Sequence, residues 1–241
     1  MMLPTLKIAL LECDHVRDEF RPIAGDYREM FLALFTPLAP YWQWVFYDVV
    51  NGHVPQNFDE ADVYFCTGSK FSVYDDEPWI DWLKDFVQQL YRVQKPYVGI
   101  CFGHQMLGEA LGGKVQKADI GWCVGVHGFE WKGEPYYKWN LLMMCQDQII
   151  TLPPDTQVLA TTPDCRYGMI QVGQTMIGLQ AHPEFTKPYE EALMLNRNER
   201  IGPEKVERQL KTLTLPLQNI EVAQWIVNFV ESSHRVSRRL S

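Results

Sequence analysis

The first hundred residues alternate between short apolar runs and longer amphipathic stretches, and this alternation restricts the chain to few folds. LKIALLEC (6–13), WQWVFYDVV (42–50), ADVYFCTGS (61–69) and YVGI (97–100) read as strands rich in β-branched and aromatic residues. The second is closed by the turn pair Asn51-Gly52 and the third ends in Gly68. Between them, GDYREMFLALF (25–35) and EPWIDWLKDFVQQLYRV (77–93) carry apolar residues at helical spacing. Pro78 suits the first turn of the second helix, and Asp75, Asp76 and Glu77 lie near its positive end. Strands this apolar need cover on both faces. The pattern predicts an α/β fold, a mostly parallel sheet between helical layers.

After residue 113 the pattern changes. KVQKADIGWCVGVHGFEW and the segments up to TMIGLQAHPEF read as shorter strands with turns, a small antiparallel extension. PEKVERQLKTL (203–213) and NIEVAQWIVNFVESS (219–233) are helical, and the basic tail HRVSRRLS (234–241) is expected to fray. The charged stretch 186–216 reads as a solvated helical face, with a partner-docking segment as the alternative. No repeat or low-complexity linker divides the 241 residues, so a single domain over 1–241 is expected.

The net charge of −8 argues against nucleic acid or an anionic membrane surface as partner. Six cysteines, at 13, 66, 101, 123, 145 and 165, include no C-x-x-C pair, which argues against a zinc ribbon. The amino-terminal apolar run is too short for a signal peptide, and nothing later approaches a membrane span. A cytoplasmic protein with free thiols is expected, with no metal.

Gly99-Ile100-Cys101-Phe102-Gly103 has the form G-x-C-x-G between a strand and a helix, a thiol version of the nucleophile elbow. Met106, Leu107, Ala110 and Leu111, followed by Gly112-Gly113, support a helix that starts at or just after Cys101. At a helix N-terminus the dipole and the unpaired N–H groups favour a thiolate, and the same groups can hold an oxyanion. A core cysteine in a glycine-rich turn would give the same sequence, so the chemical reading needs a base. Of the six histidines, His182 differs from the rest because His182-Pro183-Glu184 puts an acid two residues away. Pro183 biases His182 toward extended backbone, where residues i and i+2 face the same way. Glu184 could then hold one imidazole nitrogen while the other faces a thiol.

Together, GICFGHQMLGEALGG, GLQAHPEF and the glycine loop in CTGSKFSVYDDEPWI resemble the class I glutamine amidotransferases, in particular the amidotransferase domain of GMP synthase. The resemblance implies a flavodoxin-like fold, no cofactor, and a Cys101–His182–Glu184 triad acting on glutamine or a γ-glutamyl compound. It further implies an oxyanion hole from the backbone of Phe102 and the Gly68-Ser69 turn. Gln105 matches the family glutamine that holds the substrate's amino-acid end, and Met144 and Cys145 border the same pocket.

Cys145 is a departure, because MMCQDQI (143–149) aligns with a family stretch that usually carries a histidine there. Asp147 is retained, as a structural hydrogen-bond acceptor. The chain carries no G-x-x-x-x-G-K-S/T phosphate loop and no room for an added domain, so synthetic use of ammonia requires a separate synthetase subunit. Three functions stay open: an amidotransferase subunit, a free-standing γ-glutamyl peptide hydrolase or transpeptidase, and a non-catalytic binding scaffold.

Overall fold

The computed structural model describes residues 5–240. Its elements run β1 (Lys7–Glu12), α1 (Arg21–Ala24), α2 (Tyr27–Phe35), β2 (Gln43–Asp48), β3 (Val63–Cys66), α3 (Pro78–Arg92), β4 (Tyr97–Ile100) and α4 (Phe102–Ala110). Seven strands follow: β5 (Lys114–Lys117), β6 (Cys123–Trp131), β7 (Lys138–Cys145), β8 (Asp147–Thr151), β9 (Thr156–Thr162), β10 (Cys165–Val172) and β11 (Met176–Leu179). The chain closes with α5 (Lys187–Asn196), α6 (Asn198–Ile201), α7 (Pro203–Leu210) and α8 (Asn219–Leu240).

Nine strands form one sheet in the order β2-β1-β3-β4-β11-β10-β9-β6-β7. The first five are mutually parallel, and β10, β9, β6 and β7 extend them in antiparallel register. A separate antiparallel pair joins β5 to β8.

The inner parallel strands β3, β4 and β11 are apolar and buried along their whole length because both of their faces are covered, whereas β2 at the sheet edge is only partly buried. In β1, Ile8 and Leu10 point into one core while Ala9 and Leu11 point into the other; Phe65 and Tyr64 divide in the same way in β3. Phe31 and Phe35 of α2 and Val222, Ile226 and Val230 of α8 cover the first face. Leu83, Val87 and Leu90 of α3 and Met106 and Leu107 of α4 cover the second. Helix α2 starts with a capping box in which Asp26 and Glu29 satisfy each other's backbone N–H groups, and α3 starts with Pro78 as the sequence predicts.

The basic tail differs from expectation. Helix α8 keeps its helical backbone through Leu240 instead of fraying at His234, and Ser233 Oγ donates to the Gln174 carbonyl at 3.4 Å. The last tail residue, Ser241, lies outside the described residues, as do the first four residues of the amino-terminal run. No helix among the described residues is long and apolar enough to cross a membrane.

Candidate active site

The carboxyl ends of β3, β4 and β11 meet at one edge of the sheet. Strand β4 ends at Ile100, and the next residue, Cys101, is the N-cap of α4 with φ 51° and ψ −98°. A non-glycine residue at positive φ costs on the order of 1–3 kcal/mol. The turn is held by the Cys101 N–H to the Leu179 carbonyl (2.8 Å) and the Gln105 N–H to the Cys101 carbonyl (3.0 Å). The flanking glycines permit the close approach: a Cβ at Gly99 would lie 2.2 Å from the Gly103 carbonyl oxygen, and one at Gly103 would lie 2.6 Å from that of Cys66.

His182 follows β11, and its N–H donates to the Leu142 carbonyl at 2.8 Å. Its Nδ1 lies 2.7 Å from Glu184 Oε1, and both side chains are buried. The acid reaches the ring by a different route from the extended backbone the sequence predicts. His182–Phe185 is a turn closed by the Phe185 N–H on the His182 carbonyl (3.3 Å), and it folds Glu184 back against the imidazole. Phe185 stacks on the ring at 3.9 Å between centroids. On another side a Cβ at Gly68 would lie 2.7 Å from His182 Cε1, so the loop after β3 approaches the imidazole only because residue 68 is glycine. Burial opposes the imidazolium, but the negative charges of Cys101 and Glu184 outweigh it and raise the His182 pKa to about 10. A carboxylate on Nδ1 fixes that nitrogen as a donor and leaves Nε2 to exchange protons.

Cys101 opens into a cavity of about 150 Å³. Gln105, Met144 and Cys145 line it, together with Ser69 from the loop after β3. Gln105 Nε2 donates to the Asp147 carbonyl (2.8 Å) and to Gln180 Oε1 (3.2 Å), while Gln180 Nε2 donates to Cys101 Sγ (3.5 Å). Cys145 sits opposite Cys123 across β6 and β7. A hydrogen bond with Cys123, burial and the nearby Cys101 push its thiol pKa well up, so Cys145 presents a neutral small group to the cavity. The Asp147 carboxylate accepts from Ser72 and Tyr74, the structural role expected of it.

In a chain of net charge −8, four cations gather at the mouth of this cavity: Lys70, Lys117, Arg197 and Arg200. The guanidinium groups of Arg197 and Arg200 lie over the Trp122 ring at 5.8 and 5.5 Å from its centroid.

A family profile described as glutamine amidotransferase class-I matches residues 76–199, just over half of the chain. The chain belongs to the class I glutamine amidotransferases. Among its relatives, γ-glutamyl peptidase 5 of Arabidopsis thaliana is 30% identical over 176 residues, 68% of this chain and 69% of that protein. A glutamine-hydrolyzing GMP synthase of Wigglesworthia glossinidia brevipalpis is 29% identical over 147 residues, which span 54% of this chain and 27% of the synthase. The crystal structure of a glutamine amidotransferase from Thermotoga maritima matches with a TM-score of 0.73 at 17% identity, covering 96% of this chain and 99% of that one. The flavodoxin-like fold expected from the sequence is therefore the fold observed.

Within this amidotransferase fold, Cys101, His182, Glu184, Gly68, Ser69, Phe102, Gln105, Met144 and Cys145 all gather at the one sheet edge. Sequence reasoning missed Gln180, Trp122, Arg197 and Glu190. The stretch 186–216, expected as a solvated helical face, is one only in part: α5 buries Tyr189, Glu190, Leu193 and Met194, and α6 brings Arg200 to the cavity mouth. Only Gln180 had a local signal, two residues before His182 in GLQAHPEF.

Glu190 is fully buried, with Oε1 accepting the Gly125 N–H at 2.9 Å and Oε2 without a partner. Burial raises its pKa from 4.5 to about 8, against the opposing pull of the Gly125 N–H and of the His182 and Arg197 charges. The unfolded carboxyl ionises near 4.5 while the folded one keeps its proton to about 8, so this group drains stability as pH rises through that window. Glu190→Gln cannot ionise. Urea melts are expected to show E190Q gaining on the wild type between pH 5 and 8 by on the order of a few kcal/mol. A constant difference between the two proteins across that range would contradict the account.

Proposed function

We propose that this amidotransferase-family protein is a γ-glutamyl amide hydrolase that works through a thioester on Cys101, with glutamine as its simplest substrate. The observation that carries the reading is the pairing of a thiol in a strained turn at a helix N-terminus with a buried His182 that Glu184 holds at 2.7 Å.

Cys101 Sγ attacks the γ-carbonyl carbon, and the C=O π pair moves onto oxygen. The Phe102 N–H, the first of α4 and so without an intrahelical acceptor, and an N–H of the Gly68-Ser69 turn receive the oxyanion. Each such donor is worth about 10²–10³ in rate. The His182 imidazolium gives its Nε2 proton to the leaving nitrogen as the C–N bond breaks, which leaves the γ-glutamyl thioester. Neutral His182 then takes a proton from water, the hydroxide displaces sulfur, and glutamate departs as the thiolate–imidazolium pair returns. Glu184 keeps the Nδ1–H in place throughout. Gln105 holds the amino-acid end of the substrate, and Met144 and Cys145 border its chain. No cofactor takes part.

With glutamine the product is ammonia, and synthetic use of it calls on a separate synthetase. The second reading, a γ-glutamyl peptide hydrolase, is favoured by the 30% identity to γ-glutamyl peptidase 5. The six unpaired thiols suit a reducing compartment such as the cytoplasm. Incubation with glutamine and with γ-glutamyl dipeptides, with glutamate and ammonia quantified, tests the proposal. Glutamate release from either supports it, and release from neither overturns it.

A further inference from the structure

A second chamber, of about 70 Å³, adjoins the thiol cavity, and Ser69, Lys70, Met144 and Arg197 line both. The two spaces divide the proposed machinery, with Cys101 and Gln105 on the larger one and His182 on the smaller. In amide thiolysis the acyl group stays with sulfur, and the amine departs toward the acid that protonates it. If Cys101 and His182 act as proposed above, the glutamyl part belongs in the larger space and the leaving amine in the smaller.

Ammonia is a single heavy atom, and a water-sized molecule needs only about 10–15 Å³ of such volume. The chamber is several times larger, and its walls include Phe20, Tyr27, Phe185, Tyr189 and Leu193. These surfaces suit an apolar or aromatic side chain.

The charges on its rim are mostly committed. Lys70 Nζ holds Asp14 at 2.9 Å, and Arg17 is bound to Glu19 at 2.9 Å and to Asn196 at 3.0 Å. His15 lies between Asp26 at 2.9 Å and Asp48 at 3.0 Å. Arg197 stands at the boundary of the two spaces, half-buried over Trp122, and among the described residues it pairs with no carboxylate.

We propose that the small chamber seats the substrate's leaving amine and that Arg197 binds a carboxylate carried by that amine. The substrate class is then γ-glutamyl amino acids or peptides with a free carboxyl terminus and an apolar residue after the glutamyl group. The inference rests on the thioester reading above. An arginine fork at a carboxylate discriminates by charge and by geometry, so a neutral end group leaves the guanidinium unanswered.

The test compares kcat/KM for γ-glutamyl-phenylalanine, γ-glutamyl-phenylalaninamide and glutamine in the wild type and in R197Q. All three substrates form the same γ-glutamyl thioester, so differences report on the leaving side. The wild type is expected to prefer the acid over its amide by about tenfold or more, and over glutamine. In R197Q the acid-to-amide ratio is expected to fall to near one, with R197K in between. Equal kcat/KM for acid and amide in the wild type, an unchanged ratio in R197Q, or glutamine as the best of the three would overturn the inference while leaving the thioester reading standing. Absence of turnover and of acylated Cys101 with every substrate removes that reading and this inference together.

Discussion

Cys101→Ala is expected to abolish hydrolysis of glutamine and γ-glutamyl dipeptides while the protein stays folded. Without sulfur there is no nucleophile for a thioester, and removal of a covalent nucleophile costs on the order of 10⁶ in turnover. Alanine pays the same positive-φ penalty as cysteine, because the strain at φ 51° comes from Cβ and not from the thiol. Cys101→Ser should behave alike, since a hydroxyl oxygen is a far weaker nucleophile than sulfur and forms no thioester. The variant carries a second, independent signature. The Cys101 charge is one of the two that lift the His182 pKa to about 10. Its loss leaves burial less opposed, so the His182 ring resonances in C101A should titrate at lower pH than in the wild type. Full turnover in a folded C101A protein would remove the thioester account.

His182→Asn is expected to fall almost as far as C101A, by at least about 10⁴, because one ring both protonates the leaving amine and activates water. Glu184→Gln should be milder, at about 10². A glutamine carbonyl can still accept the Nδ1–H that now meets Glu184 Oε1 at 2.7 Å. Its charge is gone, however, and charge is what favours the imidazolium. The sign of the pH effect follows. Removing an anion beside His182 lowers the imidazolium pKa from about 10, so the alkaline limit of the acylation rate moves to lower pH, by about one to three units. A pH–rate profile of E184Q that superposes on the wild type after scaling would show that Glu184 does not tune the ring.

Legibility in the sequence followed physical locality. YVGI (97–100) coincides with β4, and EPWIDWLKDFVQQLYRV contains α3 whole, because a strand buried on both faces and a helix with one apolar stripe each write their environment into consecutive residues. The elbow was legible because its two glycines and its thiol are contiguous. The His182–Glu184 pair is legible as a pair but not in its geometry, since proximity in sequence serves the observed turn as well as an extended strand. The antiparallel strands β6, β7, β9 and β10 were seen only as a group, their order in the sheet being set by pairings between distant segments. Arg197 and Trp122 meet across 75 positions, and no local pattern announces a guanidinium over an indole. The mixed charges of 186–216 masked the face that α5 buries, because a short helix with one apolar side and many charges differs little in composition from a solvated one.

The central claim is that Cys101 is the one nucleophile of the site. The most direct measurement is intact and peptide mass spectrometry after exposure to a diazo-ketone analogue of glutamine, whose diazo carbon takes a proton and bonds to the attacking sulfur as N2 leaves. One adduct per chain, at Cys101 and suppressed by excess glutamine or γ-glutamyl dipeptide, is the predicted result. A folded protein that takes no label, or takes it on one of the other five cysteines, all buried, would contradict the account.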